Sequence, residues 1–276
     1  MALHTLPDAE RTRRLTTDEL RDRFLVDDLF QEGRVSLRFV DLDRAVLGGA
    51  VPTSGRLDLG VPDEMAAGSF TERRELGVLN VGGAGTVTVG EEPFDLEPLD
   101  LLYVGRGSGA VSFASDDAGE PARFYLVSYP AHASHPTMRV RRGEAEKAEL
   151  GSAEKVNRRD LYKYVRPGAV ESGQLVMGVT EILEGSAWNT MPAHTHARRT
   201  EVYLYFDLAD EDVVFHMMGE PQEVRTLVVR DGEAVLSPGW SIHAGAGTGR
   251  YRFCWAMGGE NQDFADMQFV DMADLR

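Results

Sequence analysis

Three histidines and one glutamate in this sequence are spaced so that they could converge on one divalent metal ion. His194 and His196 stand in Pro192-Ala193-His194-Thr195-His196. Residues two apart on an extended strand point to one face, so both imidazoles can reach the same point. Glu201 follows five residues after His196, at the head of Glu201-Val202-Tyr203-Leu204-Tyr205-Phe206. That odd offset cannot share a face on one straight strand. Ala197-Arg198-Arg199-Thr200 must therefore turn or bulge to bring the carboxylate back to the histidines. Further on, Gly232 precedes Ser237-Pro238-Gly239-Trp240-Ser241-Ile242-His243, which supplies a third imidazole after a turn. Three imidazoles and a carboxylate suit a divalent transition metal. Catalytic zinc commonly keeps about three protein ligands and a water. A set of four implies expanded coordination, a departing ligand, or a metal that favours six donors.

The other histidines fit no such set. None occurs between Val35 and Ser128, so the first half of the chain is expected to carry no metal. His132 and His135 follow in a proline-flanked stretch without a carboxylate at metal spacing, and are expected at the surface.

The elements that must position these residues read as strands. A helix is expected near the start, where Thr17-Asp18-Glu19 precedes Leu20, Phe24 and Leu25 at helical spacing. From Val35 the pattern changes to short apolar runs separated by glycine. Val78–Val81, Thr86–Val89 and Leu101–Val104 are followed, after a gap, by Leu175–Ile182, Glu201–Phe206, Val213–Met218, Thr226–Val229 and Tyr251–Met257. Evenly spaced short strands with glycine turns indicate an all-β sandwich or barrel. The charged stretch over 139–165 reads as an exposed connection between residues 1–138 and a metal-binding half over 166–276. The acidic tail from Asp263 reads as a short helix. The halves also resemble each other: Arg73-Arg74-Glu75-Leu76-Gly77-Val78 lines up with Arg198-Arg199-Thr200-Glu201-Val202-Tyr203.

Composition narrows the function classes. The net charge of −16 argues against nucleic acid, which needs a basic stripe. No apolar run reaches the roughly 20 residues that cross a bilayer, and the N-terminus shows no apolar signal segment. Cys254, without a partner for an internal disulfide, suits a reducing compartment, and the cytoplasm is expected.

Several long blocks resemble one family. Arg73–Val78 with Asn80-Val81-Gly82-Gly83-Ala84-Gly85, Asn189–His196, Val214-Phe215-His216-Met217-Met218-Gly219, Trp240–His243 and Gly258-Gly259-Glu260-Asn261-Gln262 are similar to the 5-keto-4-deoxyuronate isomerases. The likeness runs from about Phe24 to Arg276. It implies a double cupin, two jelly-roll β-barrels with a few short helices, assembled as a homohexamer. It also implies one zinc per subunit on His194, His196, Glu201 and His243, the residues already singled out by spacing. One departure is Trp240, where the cupin pattern usually has glycine.

The implied reaction interconverts 5-dehydro-4-deoxy-D-glucuronate and 3-deoxy-D-glycero-2,5-hexodiulosonate in pectin breakdown. It moves a carbonyl from C1 to C2 of an open-chain sugar acid, by proton transfer through an enediolate or by hydride shift. His216 and Glu260 are the candidate catalytic bases, and Tyr203 and Tyr205, on the parity of Glu201, are candidates to line the site. Arg198 and Arg199 are the candidate partners for the substrate carboxylate. The competing readings are a 5-deoxy-glucuronate isomerase of inositol breakdown, a metal-dependent dioxygenase, and a cupin that binds uronate without turnover.

Overall fold

The computed structural model describes residues 3–263 and 265–276. Its regular structure is nearly all strand. Among the described residues the α-helices are Ala9–Thr12 and Thr17–Phe24. The second starts where the sequence places it: Thr16 and Glu19 exchange hydrogen bonds as a capping box, which satisfies two N-terminal amide donors. No helix among the described residues is long and apolar enough to cross a membrane.

The chain forms two compact units. One comprises Asp28–Ala145 and Tyr164–Val176 with the first residues up to His4; the other comprises Thr5–Asp27, Glu146–Lys163 and Met177–Arg276. In the first unit, a six-stranded sheet runs in the order Met138–Val140, Leu101–Val104, Arg74–Asn80, Phe124–Pro130, Val46–Ala50, Val35–Phe39. A four-stranded sheet, Leu57–Asp58, Val111–Ser115, Gly85–Val89, Glu92–Leu96, accompanies it. Leu76, Val78 and Phe124 from the larger sheet meet Val87 and Phe113 from the smaller in one core. This is a jelly-roll sandwich.

The second unit repeats the plan. Its larger sheet runs Leu25–Val26, Ala234–Ser237, Arg199–Phe206, Arg252–Gly259, Val176–Ile182, Arg159–Val165, Glu146–Leu150, and its smaller one Trp188–Asn189, Ala244–Gly247, Val214–Met218, Arg225–Val229. The registers correspond. Leu76 lies opposite Val104 and Ser128, and Glu201 lies opposite Ser237 and Met257, on equivalent strands. The self-similarity of the two sequence blocks is therefore a structural repeat. The position that carries Glu201 in one unit carries Leu76 in the core of the other.

Two segments take part in the second unit in ways the sequence pattern hides. Nearly half of the charged 139–165 stretch is one strand pair, because Glu146–Leu150 pairs antiparallel with Arg159–Val165 at the edge of the larger sheet. The described part of the tail is extended rather than helical: Gln268–Phe269 pairs with His194–Thr195, and Met272–Asp274 is a single 3-10 turn. The unusual Trp240 packs edge-on against Phe24 of the capped helix, at 6.3 Å between ring centroids. A bulky ring at this turn thus anchors the N-terminal helix to its unit.

Gly178 shows how tightly the strands pack. A Cβ there would overlap the Trp255 ring and the Tyr162 carbonyl oxygen. Gly178→Ala is expected to destabilise the protein by about 1–3 kcal/mol through overpacking. A thermal melt reads this as a lowered Tm; an unchanged Tm would mean that the Trp255 ring moves aside freely.

Candidate metal centre

The four residues picked out by spacing come together in the second unit. His194 is held on the short strand His194–Thr195 by the tail strand Gln268–Phe269. The chain turns at Ala197-Arg198, with the Arg199 amide donating to the His196 carbonyl at 3.3 Å, before Arg199–Phe206 begins. That turn supplies the change of direction required by the odd offset of Glu201. His243 follows a turn closed by the Ser241 amide on the Pro238 carbonyl at 2.9 Å, and leads into Ala244–Gly247.

All four side chains are buried, and one ligand atom from each lies within 4.8 Å of the others. His194 Nε2 is 3.2 Å from His196 Nε2 and 3.1 Å from His243 Nε2. Glu201 Oε2 lies 2.8 Å from His243 Nε2 and 3.3 Å from His196 Nε2.

The protonation pattern decides what this cluster can bind. His196 Nδ1 faces the Asp266 carbonyl at 2.6 Å, and a carbonyl only accepts, so Nδ1 carries a hydrogen and Nε2 is the ring nitrogen turned to the cluster. The His194 ring is likewise hydrogen-bonded to the Pro192 backbone. Burial, aided by neighbouring imidazoles and opposed by Glu201, pushes His194 down to about 3, so it is neutral at physiological pH. Burial opposes ionisation of Glu201, yet the facing His243 and His196 rings hold its carboxyl well below the usual range. A neutral His194, a His196 ring fixed through its outward N–H, and His243 packed with them around a buried carboxylate are the donor set of a cation site. Glu201 Oε2 has no well-formed hydrogen bond within the protein, so a cation would satisfy an otherwise orphaned buried atom. The residues fit a divalent transition metal.

A cavity of about 300 Å³ opens beside the cluster, lined by His194, His196 and Glu201. That size lies at the low end of small-molecule sites, about 300–1,000 Å³, and suits a monosaccharide better than a polymer. Trp255, Phe253, Met257, Met267 and Phe269 give it apolar walls. Tyr203 and Thr190 also line it, with their hydroxyls 2.9 Å apart. Burial, then the nearby charge of Glu201, raises the Tyr203 phenol well above its ordinary value, so it stays protonated.

The other candidates lie elsewhere. His216 is fully buried, but it does not line the cavity: its Nδ1 is 2.7 Å from the Tyr205 hydroxyl, and its ring lies edge-on to Tyr203. Tyr205 is buried behind Tyr203 and is also absent from the cavity wall. Glu260 is exposed and paired with Arg198 at 2.8 Å. Arg199 is turned inward, its NH2 group 3.2 Å from both His196 Nδ1 and the Asp266 carbonyl. Neither arginine lines the cavity. The basic side chain that does is Arg159, in the charged stretch that reads as a connector. Its signal is the spacing Arg159, Leu161: two residues of one strand face, both on the cavity wall.

Comparison with known proteins agrees with this architecture. The model of the KduI/IolB family matches residues 30–274. A 4-deoxy-L-threo-5-hexosulose-uronate ketol-isomerase of Lachnoclostridium phytofermentans is 50% identical over 276 residues, all of both chains. One of Kineococcus radiotolerans is 55% identical over 270 residues, 97% of each. Among solved structures, an IolB-like protein of Salmonella typhimurium superposes with a TM-score of 0.71 at 12% identity, over 90% of this chain and 96% of that one. An oxalate decarboxylase of Lactobacillus farciminis gives 0.58 at 10% identity, over 89% of each. Those two likenesses establish the double-cupin fold, whereas the full-length sequence identities go further: this chain belongs to the KduI/IolB family.

Proposed function

We propose that this protein is a metal-dependent ketol-isomerase that converts 5-dehydro-4-deoxy-D-glucuronate to 3-deoxy-D-glycero-2,5-hexodiulosonate in the breakdown of pectin-derived uronates. The observation that carries the reading is a buried three-histidine, one-glutamate cluster beside a monosaccharide-sized cavity. It occurs in a chain half identical, end to end, to proteins named for this activity. We assign zinc, one ion per subunit, to His194, His196, Glu201 and His243, with manganese and iron as the alternatives that metal analysis distinguishes. A homohexamer in the cytoplasm completes the proposal, the latter suited to the buried free thiol of Cys254.

A cation held there supplies Lewis-acid polarisation of the substrate carbonyl. The chain's own residues do the rest. Apolar walls exclude water, which strengthens each polar contact in the cavity. The Tyr203 hydroxyl, protonated and supported by Thr190, donates to the oxygen on which negative charge develops. Glu201, committed to the cluster, is not a free base. His216 and Glu260 do not reach the cavity wall, and among the described residues lining it there is no carboxylate or imidazole outside the cluster. This favours direct transfer of hydride from C2 to C1, with the Tyr203 hydroxyl giving its proton to the C1 oxygen and taking one from the C2 hydroxyl, over a shuttle of the carbon-bound proton through a base.

The test is turnover of 5-dehydro-4-deoxy-D-glucuronate by purified, metal-quantified protein, run in parallel in D2O. We expect conversion to the diulosonate with essentially no deuterium at the new hydroxymethyl carbon. Deuterium at that carbon would call for a proton carrier and overturn the hydride route. No conversion by metal-replete protein would overturn the isomerase assignment.

A further inference from the structure

The substrate of the proposed reaction carries a carboxylate at the end of its chain opposite the reacting carbons, and this inference rests on that reading. A carboxylate entering a cavity with apolar walls loses its water and needs charged hydrogen-bond donors in return. The protein as a whole cannot provide the attraction, because its net charge of −16 repels an acid. The donor must be local.

We propose that Arg159 is the carboxylate anchor, and that it sets the preference of the site for sugar acids over neutral sugars. Among the described residues lining the cavity, Arg159 is the one arginine or lysine. It is half-buried, and its NH1 group donates to the Asn157 carbonyl at 2.9 Å. That contact fixes one edge of the guanidinium without neutralising its charge. No carboxylate of the described residues pairs with it, unlike the arginines nearby. Arg198 is bound to Glu260, and Arg252 to Glu181 and Asp207. A half-buried, unneutralised guanidinium in an apolar surround is costly unless an anion completes it. Its planar fork suits a carboxylate bidentately. Leu150 and Leu161, which also line the cavity, lie on the same hairpin as Arg159. Arg159 is directly opposite Leu150 in its register. The hairpin thus presents one cation within an apolar surround, an arrangement that recognises an acid group and excludes its hydration.

The test measures binding of D-glucuronate and of D-glucose, which differ at C6 alone, to metal-loaded wild type, Arg159→Met and Arg159→Lys by calorimetry. Wild type is expected to prefer the acid, and Arg159→Met to lose about 30-fold or more of that affinity, as expected for removing one partner of a desolvated charge pair. Its weak affinity for glucose should not change. Arg159→Lys, which keeps the charge without the fork, should fall between the two. With the keto-uronate, KM should rise by a similar factor while bound metal stays at the wild-type stoichiometry. Wild type without preference for glucuronate, or Arg159→Met binding it as tightly as wild type, overturns the proposal. If Arg159→Met folds poorly, Arg159→Lys decides: unchanged affinity for the acid together with unchanged KM overturns it. The two readings separate cleanly. Turnover with an unchanged KM in Arg159→Met removes the anchor alone. Glucuronate binding through Arg159 without turnover removes the isomerase alone and leaves the anchor standing.

Discussion

His243→Ala is expected to abolish stoichiometric metal binding and to lower turnover by about 10³-fold or more, since Lewis-acid stabilisation is worth several kcal/mol and each 1.36 kcal/mol is tenfold. The loss should not reflect unfolding. The Nε2 atoms of His194 and His243 stand 3.1 Å apart, and those of His194 and His196 3.2 Å apart. Such a cluster is built to hold a cation rather than to support the fold, so removing one ring is expected to cost metal binding more than folding. The metal-free wild type and the variant should therefore melt at similar temperatures. Adding metal separates them. A ligand at about 100 times its Kd stabilises a folded protein by about 2.7 kcal/mol, so wild type should show a clear rise in Tm that chelator reverses. The variant should show little. Elemental analysis, melts with and without chelator, and turnover together check the site. A variant that keeps both metal and turnover would remove His243 from it.

Much of that centre was legible in the sequence because its geometry is local. The two-residue spacing of His194 and His196 and the proline turn before His243 each specify a short backbone shape. The odd offset to Glu201 required a turn, and one occurs at Ala197-Arg198. The repeat of the two halves was also legible, since equivalent strands carry Leu76 and Glu201 in matching registers. In the first unit the position equivalent to Glu201 carries a core leucine in place of a carboxylate.

What stayed hidden depends on contacts distant in sequence. Arg159 lies in a charged run whose alternation is easily taken for a solvated connector, and only strand pairing with Glu146–Leu150 shows that one face of it lines the cavity. The tail from Asp263 has the composition of a surface helix. Its role, pairing beside His194 and receiving the His196 N–H on the Asp266 carbonyl, comes from a partner about 70 residues away, and no local pattern encodes it. Arg198 and Arg199 show the converse error. Closeness to the metal motif in sequence made them the natural carboxylate partners, but the turn that brings Glu201 inward sends Arg198 to the surface and Arg199 beneath His196. His216 illustrates a further limit: strand parity gives the face of a sheet, not whether another side chain stands between it and the cavity.

Glu75→Leu is expected to cost about 3–5 kcal/mol of stability, the range for stripping the partner from buried charged or multiply bonded groups. Glu75 is fully buried in the first unit. One oxygen accepts from the Gln174 and Leu175 amides, each at 2.8 Å. The other accepts from the Gly173 amide at 2.5 Å and the Tyr103 hydroxyl at 2.7 Å. Burial, then the charge of Glu75, raises the Tyr103 phenol far above its ordinary value and keeps it a donor. A single carboxylate thereby pins Gly173–Leu175, nearly 100 residues away in sequence, to this unit. Leucine matches the volume but accepts nothing, so four donors lose their acceptor at once. Glu75→Gln separates charge from shape. Its oxygen can still serve two amides, and the Tyr103 hydroxyl can rotate to accept from the new amide. The Gly173 N–H would then face a donor, for an intermediate cost of about 1–3 kcal/mol. Urea denaturation should rank the proteins wild type, Gln, Leu, and hydrogen exchange should show the amides of residues 173–175 loosening first. Because the four residues proposed to hold the metal all belong to the other unit, bound metal per folded chain should be unchanged in both variants. Equal stability of Glu75→Leu and wild type would mean that these amides find other acceptors, and that the carboxylate does not hold the segment.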